Sequence, residues 1–456
     1  MSPPQQAAHS GLVPNRDFRL LLSGAAAGQI GAQVTLVALP LVAVLELDAP
    51  AFQVALLTAA ETAAFLLVGL PAGAWLDRMR KLPVLIRADV VRALGMISIP
   101  AAAAADMLTM TQLYIVALLT GVATVFFDVA HQSYLPALLP KDQLVSGNGA
   151  LETVRSSAQV VGPGLGGGLV QLIGAHLAIV ADALGYAVSA LFLLAIRHRE
   201  PAPQAAGPES SLRKEIGEGL GFVLRQPLLR VIVATTGLGN FFAALLMAVQ
   251  TVFLVRVLGL SPGAIGLMLS AAAIGGLAGA LCAGRLARSL GQARIIWLSS
   301  LATGPFALLW PLAGKGAAAF WFALGSAVVF FGAVVYNVAQ VSFRQTLCPP
   351  RLLGRMNATT RFLVWGTMPL GALVGGAVAS AAGPRAAVWV CAIGFLVVPL
   401  PLLFSPLRRM RDLPAAAPDF PPDAPDSPAD PADSPSDVAG SPVDSAEEPG
   451  QRTSAL

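Results

Sequence analysis

Apolar stretches of span length recur along the chain, each separated from the next by a short segment that carries charge. Roughly 20 consecutive apolar residues cross a bilayer as a helix, and strict two-residue alternation, the mark of a half-buried strand, is absent. The pattern predicts helices over 18–45, 52–76, 82–105, 108–132, 145–173 and 176–196, then over 228–257, 262–287, 293–313, 317–343, 357–381 and 384–404. The expected fold is an all-α integral membrane protein with twelve spans. Five segments follow from it: an arm over 1–15, a six-helix bundle over 16–196, a linker over 197–227, a second bundle over 228–411 and a tail over 412–456. In the linker, Leu212, Ile216, Leu220 and Val223 keep helical spacing, which predicts a short amphipathic helix at the interface.

Charge orients these spans. The loops on the side of the termini hold Arg78, Arg80, Lys81, Lys141, Arg197, Arg199, Arg213, Lys214, Arg225, Arg288, Arg351 and Arg355, while the opposite loops hold Arg256, Lys315 and Arg385. Cytoplasmic loops accumulate Lys and Arg, so both termini are expected inside a cell membrane. The chain is 55% hydrophobic and 12% charged, against about 25% charged in soluble domains. The tail is rich in Pro, Asp, Ser and Ala and is expected to be disordered. Without it, 28 basic residues face 15 acidic ones. That excess reflects topology, and no nucleic-acid partner is expected. Cys282, Cys348 and Cys391 are far apart, and no pair among His9, His131, His176 and His198 has ligand spacing. Neither a disulfide framework, a metal site nor a cofactor is expected, and nothing resembles a phosphate-binding loop or a catalytic constellation.

The two bundles are related in sequence. A shift of 209 places Asp128 on Asn337, Ser133 on Ser342, Pro140 on Pro349 and Asn148 on Asn357, and Gly162, Gly166 and Gly167 on Gly371, Gly375 and Gly376. An offset of six spans gives both copies the same orientation, as in parallel repeats about an axis along the membrane normal. A cavity between the halves is then the expected substrate site.

Two motifs carry a family resemblance. GAWLDRMRK (73–81) is similar to the loop signature of the major facilitator superfamily, and GPGLGG (162–167) resembles the element associated with its antiporters and exporters. The run FFDVAHQSYLPALLP (126–140) resembles the branch of enterobactin exporters and macrolide efflux proteins. The resemblance implies a monomeric secondary transporter. It also implies a conformational latch in which Asp77 and Arg78 face the start of span eleven near Gly354–Asn357, with Lys81, Arg87 and Asp128 extending the charge network. In the second copy Ala287 and Asn337 replace Asp77 and Asp128, so its latch should be weak. A purely topological role for the basic loop is the alternative.

Gly162, Pro163, Gly166 and Gly167 permit a kink and close helix approach, either for packing or as a seal against leak. Gly24, Gly28 and Gly31, and Gly275, Gly276 and Gly279, are expected to pack helices. Ionisable groups inside a span are expensive and mark function by default. Glu61 and Asp182 are the candidates to carry a coupling proton, with a structural acid as the alternative for each. Asp89 with Arg92, and Glu152 with Arg155, are spaced for intrahelical ion pairs. Gln29, Gln33 and Asn240 are candidates to line the cavity. The expected function is alternating-access export of a small amphipathic or hydrophobic molecule, such as a drug, a macrolide-like compound or a siderophore, in exchange for protons. A metabolite importer on the same fold and a non-transporting sensor are the competing readings.

Overall fold

The computed structural model describes residues 15–198, 200, 220–348 and 353–412. The arm before Asn15, linker positions Leu212 and Ile216, the tail beyond Asp412 and the side chain of Asp77 lie outside the described residues. In the first half α1 (Arg16–Leu41), α2 (Ala51–Asp77), α3 (Lys81–Ala104), α4 (Met110–Leu138), α5 (Leu144–Ile173) and α6 (Ala175–Leu194) run in alternating directions. The second half holds α7 (Pro227–Val252), α8 (Pro262–Leu290), α9 (Gln292–Thr303), α10 (Phe320–Leu347), α11 (Leu353–Trp365 and Thr367–Ala382) and α12 (Pro384–Val397). Short turns extend α9 through Leu312 and α12 through Leu403.

Ten of these helices are long and apolar enough to cross a membrane. The remaining two are α3 and α5, whose interiors carry Arg87, Asp89 and Arg92, and Glu152 and Arg155. Their polar content is held inside the bundle or along its edges: Asp89 and Arg92 are buried, and both intrahelical pairs form. Leu94, Leu172, Leu191 and Leu281 are exposed on the outer faces, where lipid tails are the matching solvent. Of the linker, residues 220–225 are helical, and Val223 packs on Cys348 and Met356 rather than on an outer face.

The sequence repeat is a packing repeat. Gly162 and Gly166 of α5 sit against Gln33 and Val34 of α1, and Gly371 and Gly375 of α11 sit against Phe241 and Leu245 of α7. The third glycine of each set reaches across to the other half: Gly167 meets Gly266 of α8, and Gly376 meets Phe52 and Ala55 of α2. The turns that follow are also equivalent. Gly174 (φ 91°) and Gly383 (φ 89°) occupy a backbone region open in practice only to glycine. Both α1 and α7 end in a π-helical turn, Val42–Glu46 and Phe253–Val257.

Contacts between the halves cluster at the end distal to the termini. Gly167 and Gly266 pack backbone to backbone there, the Gln171 side chain accepts from the Gly263 amide at 3.0 Å, and Arg256 pairs with Asp48 at 2.8 Å. At mid-height Phe65 of α2 meets Trp365 of α11, ring centroids 4.4 Å apart.

Candidate functional site

A cavity of about 530 Å³ lies between the halves. Its walls come mostly from α7 to α10, closed on the other side by α1 and α5 through Gln33, Leu36, Gln159 and Pro163. The polar lining is neutral: Thr235, Thr236, Asn240, Gln250, Ser300, Thr303, Ser326 and Asn337, set among Leu246, Met247, Phe330 and Trp310. Several of these groups hold one another. Thr236 and Tyr336 hydroxyls lie 2.6 Å apart, the Asn240 amide donates to the Val364 carbonyl, and the Trp310 indole donates to Ser326 at 3.0 Å.

A second lobe, about 240 Å³, opens inside the first half among α1, α2, α4 and α6. It shares Gln33, Leu36, Met247 and Gln250 with the first, so the two adjoin across these side chains. Glu61 and Asp182 both line it. Glu61 is exposed into the lobe and has no side-chain hydrogen bond or ion pair among the described residues. Asp182 is fully buried, and neither of its carboxylate oxygens has a hydrogen-bond partner. The Thr35 hydroxyl lies beside it without hydrogen-bond geometry. Asp182 can sit there because Gly31 opposes it: a Cβ on Gly31 would fall 2.7 Å from Oδ1 and 2.8 Å from the Asp182 Cα. Among the described lining residues, neither lobe carries a Lys or an Arg.

The candidate residues divide by place. Gln33 and Asn240 line the larger lobe; Gln29 is half-buried on α1 and is not among the lining residues of either. Pro163 lines the larger lobe, while Gly162, Gly166 and Gly167 make the helix contacts described above. Arg78 and Arg87 are exposed at the terminal end. Lys81 caps α2, its ammonium donating to the carbonyls of Leu76 (2.6 Å) and Met79 (2.9 Å), and its own amide donates to Glu200. Asp128 is faced by the charges of Arg92, Arg155 and Arg361. Sequence reading passed over Arg361 and reduced Arg92 to half of a local pair. Arg361 lies 4.8 Å from the Trp365 ring centroid and 5.7 Å from that of Phe65, a cation–π contact that crosses the halves. Trp365 is its i,i+4 neighbour on α11, but nothing in the linear pattern marks the contact to Phe65, which comes from a distant span.

The chain belongs to the Major Facilitator Superfamily, whose family model matches residues 21–366. It is 26% identical to the multidrug efflux pump Tap of Mycolicibacterium fortuitum, over 86% of this chain and 97% of that protein. It is 28% identical to the enterobactin exporter EntS of Citrobacter koseri, over 78% of this chain and 85% of that one. Among solved structures, the nucleoside transporter NupG superposes with TM-score 0.69 at 14% identity, over 85% of this chain and all of the other. A bacterial homologue of the iron transporter ferroportin in an inward-facing state gives 0.68 at 16%, covering 86% of this chain and 98% of that one. The chain is a multi-pass membrane transporter for a small molecule, and not an enzyme.

Proposed function

We propose that this transporter exports a small amphipathic or hydrophobic compound by proton antiport, with both termini in the cytoplasm and the distal end facing out. The observation that carries the reading is the two-lobed cavity. A neutral, hydrogen-bonding and aromatic lobe suits the body of a drug-sized molecule. The adjoining lobe presents two carboxyl groups, which can exchange a proton for cargo. Export as the direction is supported by the likeness to a multidrug efflux pump and an enterobactin exporter. Within that range the charge pattern favours neutral or cationic cargo. An anion would meet Glu61 and Asp182 with no cation among the described lining residues to offset them.

On this reading the structure is the cytoplasm-facing state, sealed outside by the Gly167–Gly266 and Gly376–Ala55 crossings. Alternating access requires the seal to open and a cytoplasmic one to form, with cargo and proton binding the two states differently. The test is proton flux from proteoliposomes on addition of each member of a panel of neutral, cationic and anionic amphiphiles. Flux stimulated by neutral or cationic compounds is expected. Flux driven only by anions, or cargo movement indifferent to the proton gradient, would reject the proposal.

A further inference from the structure

Buried polar atoms without partners are rare in folded proteins and ask for an explanation. Among the described residues twelve such side-chain atoms occur, and eight belong to the first half, on Thr35, Asp89, Arg92, His131, Tyr134, Asp182 and His198. Their placement is not random. Asp182 and Thr35 lie at the cavity. Arg92 lies one layer nearer the termini, its guanidinium between the rings of Tyr186 (4.3 Å) and Phe127 (4.2 Å) and ion-paired to Asp89. Phe127 stacks on His131 at 5.7 Å between centroids, and His131 is one turn of α4 from Tyr134. Tyr134 meets His198 edge to face at 6.5 Å, at the terminal end of the bundle. There the acids Asp17 and Glu200 face the Tyr134 hydroxyl, and Asp17 accepts from the His198 amide at 2.9 Å.

We infer that the first bundle carries a proton route of its own, leading from Asp182 at the smaller lobe away from the cavity, through the Asp89–Arg92 pair, His131 and Tyr134 to His198 at the terminal end. The inference rests on the proton-antiport reading and deepens it. Arg92 can neutralise one carboxylate at a time. Paired with Asp89, as here, it leaves Asp182 holding the proton. The proton then leaves Asp182 for Asp89 as Arg92 turns to the newly ionised Asp182. Since these unpartnered atoms do not bond one another, Asp89 passes it through bridging water to His131, which takes it on one ring nitrogen and releases one from the other. Tyr134 and His198 relay it to the acids at the surface. The remaining charges around this set are Glu61 from α2, Asp128 from α4, Arg155 from α5, Arg361 from α11 and, at the terminal end, Arg16, which pairs with Asp17 at 3.4 Å. None of them sits between His131 and the terminal end among the described contacts. A separate route lets the proton depart while cargo already fills the cavity, so the two need not compete for one passage.

The test needs no cargo. In purified, lipid-reconstituted protein an acid jump is followed by infrared spectroscopy, the Asp182 carboxyl band being assigned by its loss in Asp182→Asn. In His131→Phe, which keeps the stacked ring but cannot carry a proton, the band is expected at full amplitude but rising about a hundredfold more slowly. An unchanged rate would mean that cavity water protonates Asp182 directly, and would overturn the route, as would the absence of any Asp182 band in the wild type. Hydroxyl-radical footprinting of the wild-type protein is the second measurement, independent of any variant. Tyr134 and His131 should be oxidised well above the buried Phe343, and labelling no greater than that of Phe343 overturns the proposal. If Asp182 titrates through His131 yet transport ignores the proton gradient, antiport fails while the route stands.

Discussion

Glu61 is a carboxyl group at mid-span with no partner, exposed only because a cavity opens beside it. Such a group is costly unless it works. Glu61→Gln keeps the shape and hydrogen-bonding capacity but removes the titration. It is expected to abolish the dependence of cargo movement on the pH gradient while leaving cargo binding within about the 0–1 kcal/mol typical of exposed charges. Transport by reconstituted protein with and without an imposed gradient measures this, and retained gradient dependence would assign coupling to another acid. Gly31 tests the opposite matter, fit. A Cβ there would collide with the Asp182 backbone as well as its carboxylate, so α1 and α6 must separate. Gly31→Ala should lower stability by about 1–3 kcal/mol, read as a lower thermal midpoint in lipid. An unchanged midpoint would show that the α1–α6 contact has slack.

At the scale of elements, two devices close the distal end, and their magnitudes differ. Asp48 adopts φ 44° at the position where the second repeat has Gly259 at φ 70°. A non-glycine in that region carries some strain, and here its carboxylate takes Arg256 from the other half. The pair is exposed, with the Asp48 side chain 95% accessible, so it is worth about 0–1 kcal/mol. The α5–α8 crossing is tighter: a Cβ on either Gly167 or Gly266 would lie 2.9 Å from the Cα of the other. Gly167→Val should therefore hold the distal end open and stop turnover, whereas Arg256→Ala should shift the population less than about fivefold. Labelling rates of a cysteine at exposed Leu172 distinguish them; equal effects of the two variants would show that the ion pair closes the gate.

The fold was largely legible in the sequence because spans, loop charges and the 209-residue repeat are linear signals. Spans α3 and α5 were read from their apolar stretches even though their charges lower their hydropathy. The site was legible in part. Glu61, Asp182, Gln33 and Asn240 stand out as polar residues in apolar spans. The adjacency of the two lobes and the run from Asp182 to His198 were not legible, since each is assembled from side chains on three or more helices, and the reach of the i,i+4 pair Arg361–Trp365 to Phe65 on α2 is shown by no spacing within α11. Gln29 shows the limit: spacing placed it one turn from Gln33, but neither lobe reaches it.

At the scale of the molecule, the halves share a scaffold and differ in charge. Five acids, Glu61, Asp89, Asp128, Glu152 and Asp182, lie within the spans of the first bundle, while Asn337 stands where symmetry would put a second Asp128 and accepts from the Gln340 amide through its side-chain oxygen at 2.9 Å. On the proposed antiport reading, protons are handled on one side of the pseudo-twofold axis, and the conformational change must carry that information to the other. The loop between α2 and α3 is placed to do so. With the distal end closed, the terminal ends are the ones free to part. A latch from Asp77 to the start of α11 would form only when they come together, its carboxylate facing the positive end of the helix dipole. Asp77→Asn should then destabilise the opposite state alone. Such an interaction is worth about 0.3–1 kcal/mol near a surface and up to about 2 when partly buried, a shift of roughly two- to thirtyfold toward the state seen here. Spin labels on cysteines replacing the exposed Asp142 and Arg288, at the terminal ends of the two halves, report it as a loss of the short-distance population, with turnover falling in proportion and the thermal midpoint unchanged. An unaltered distance distribution would leave the basic loop with topology as its whole role.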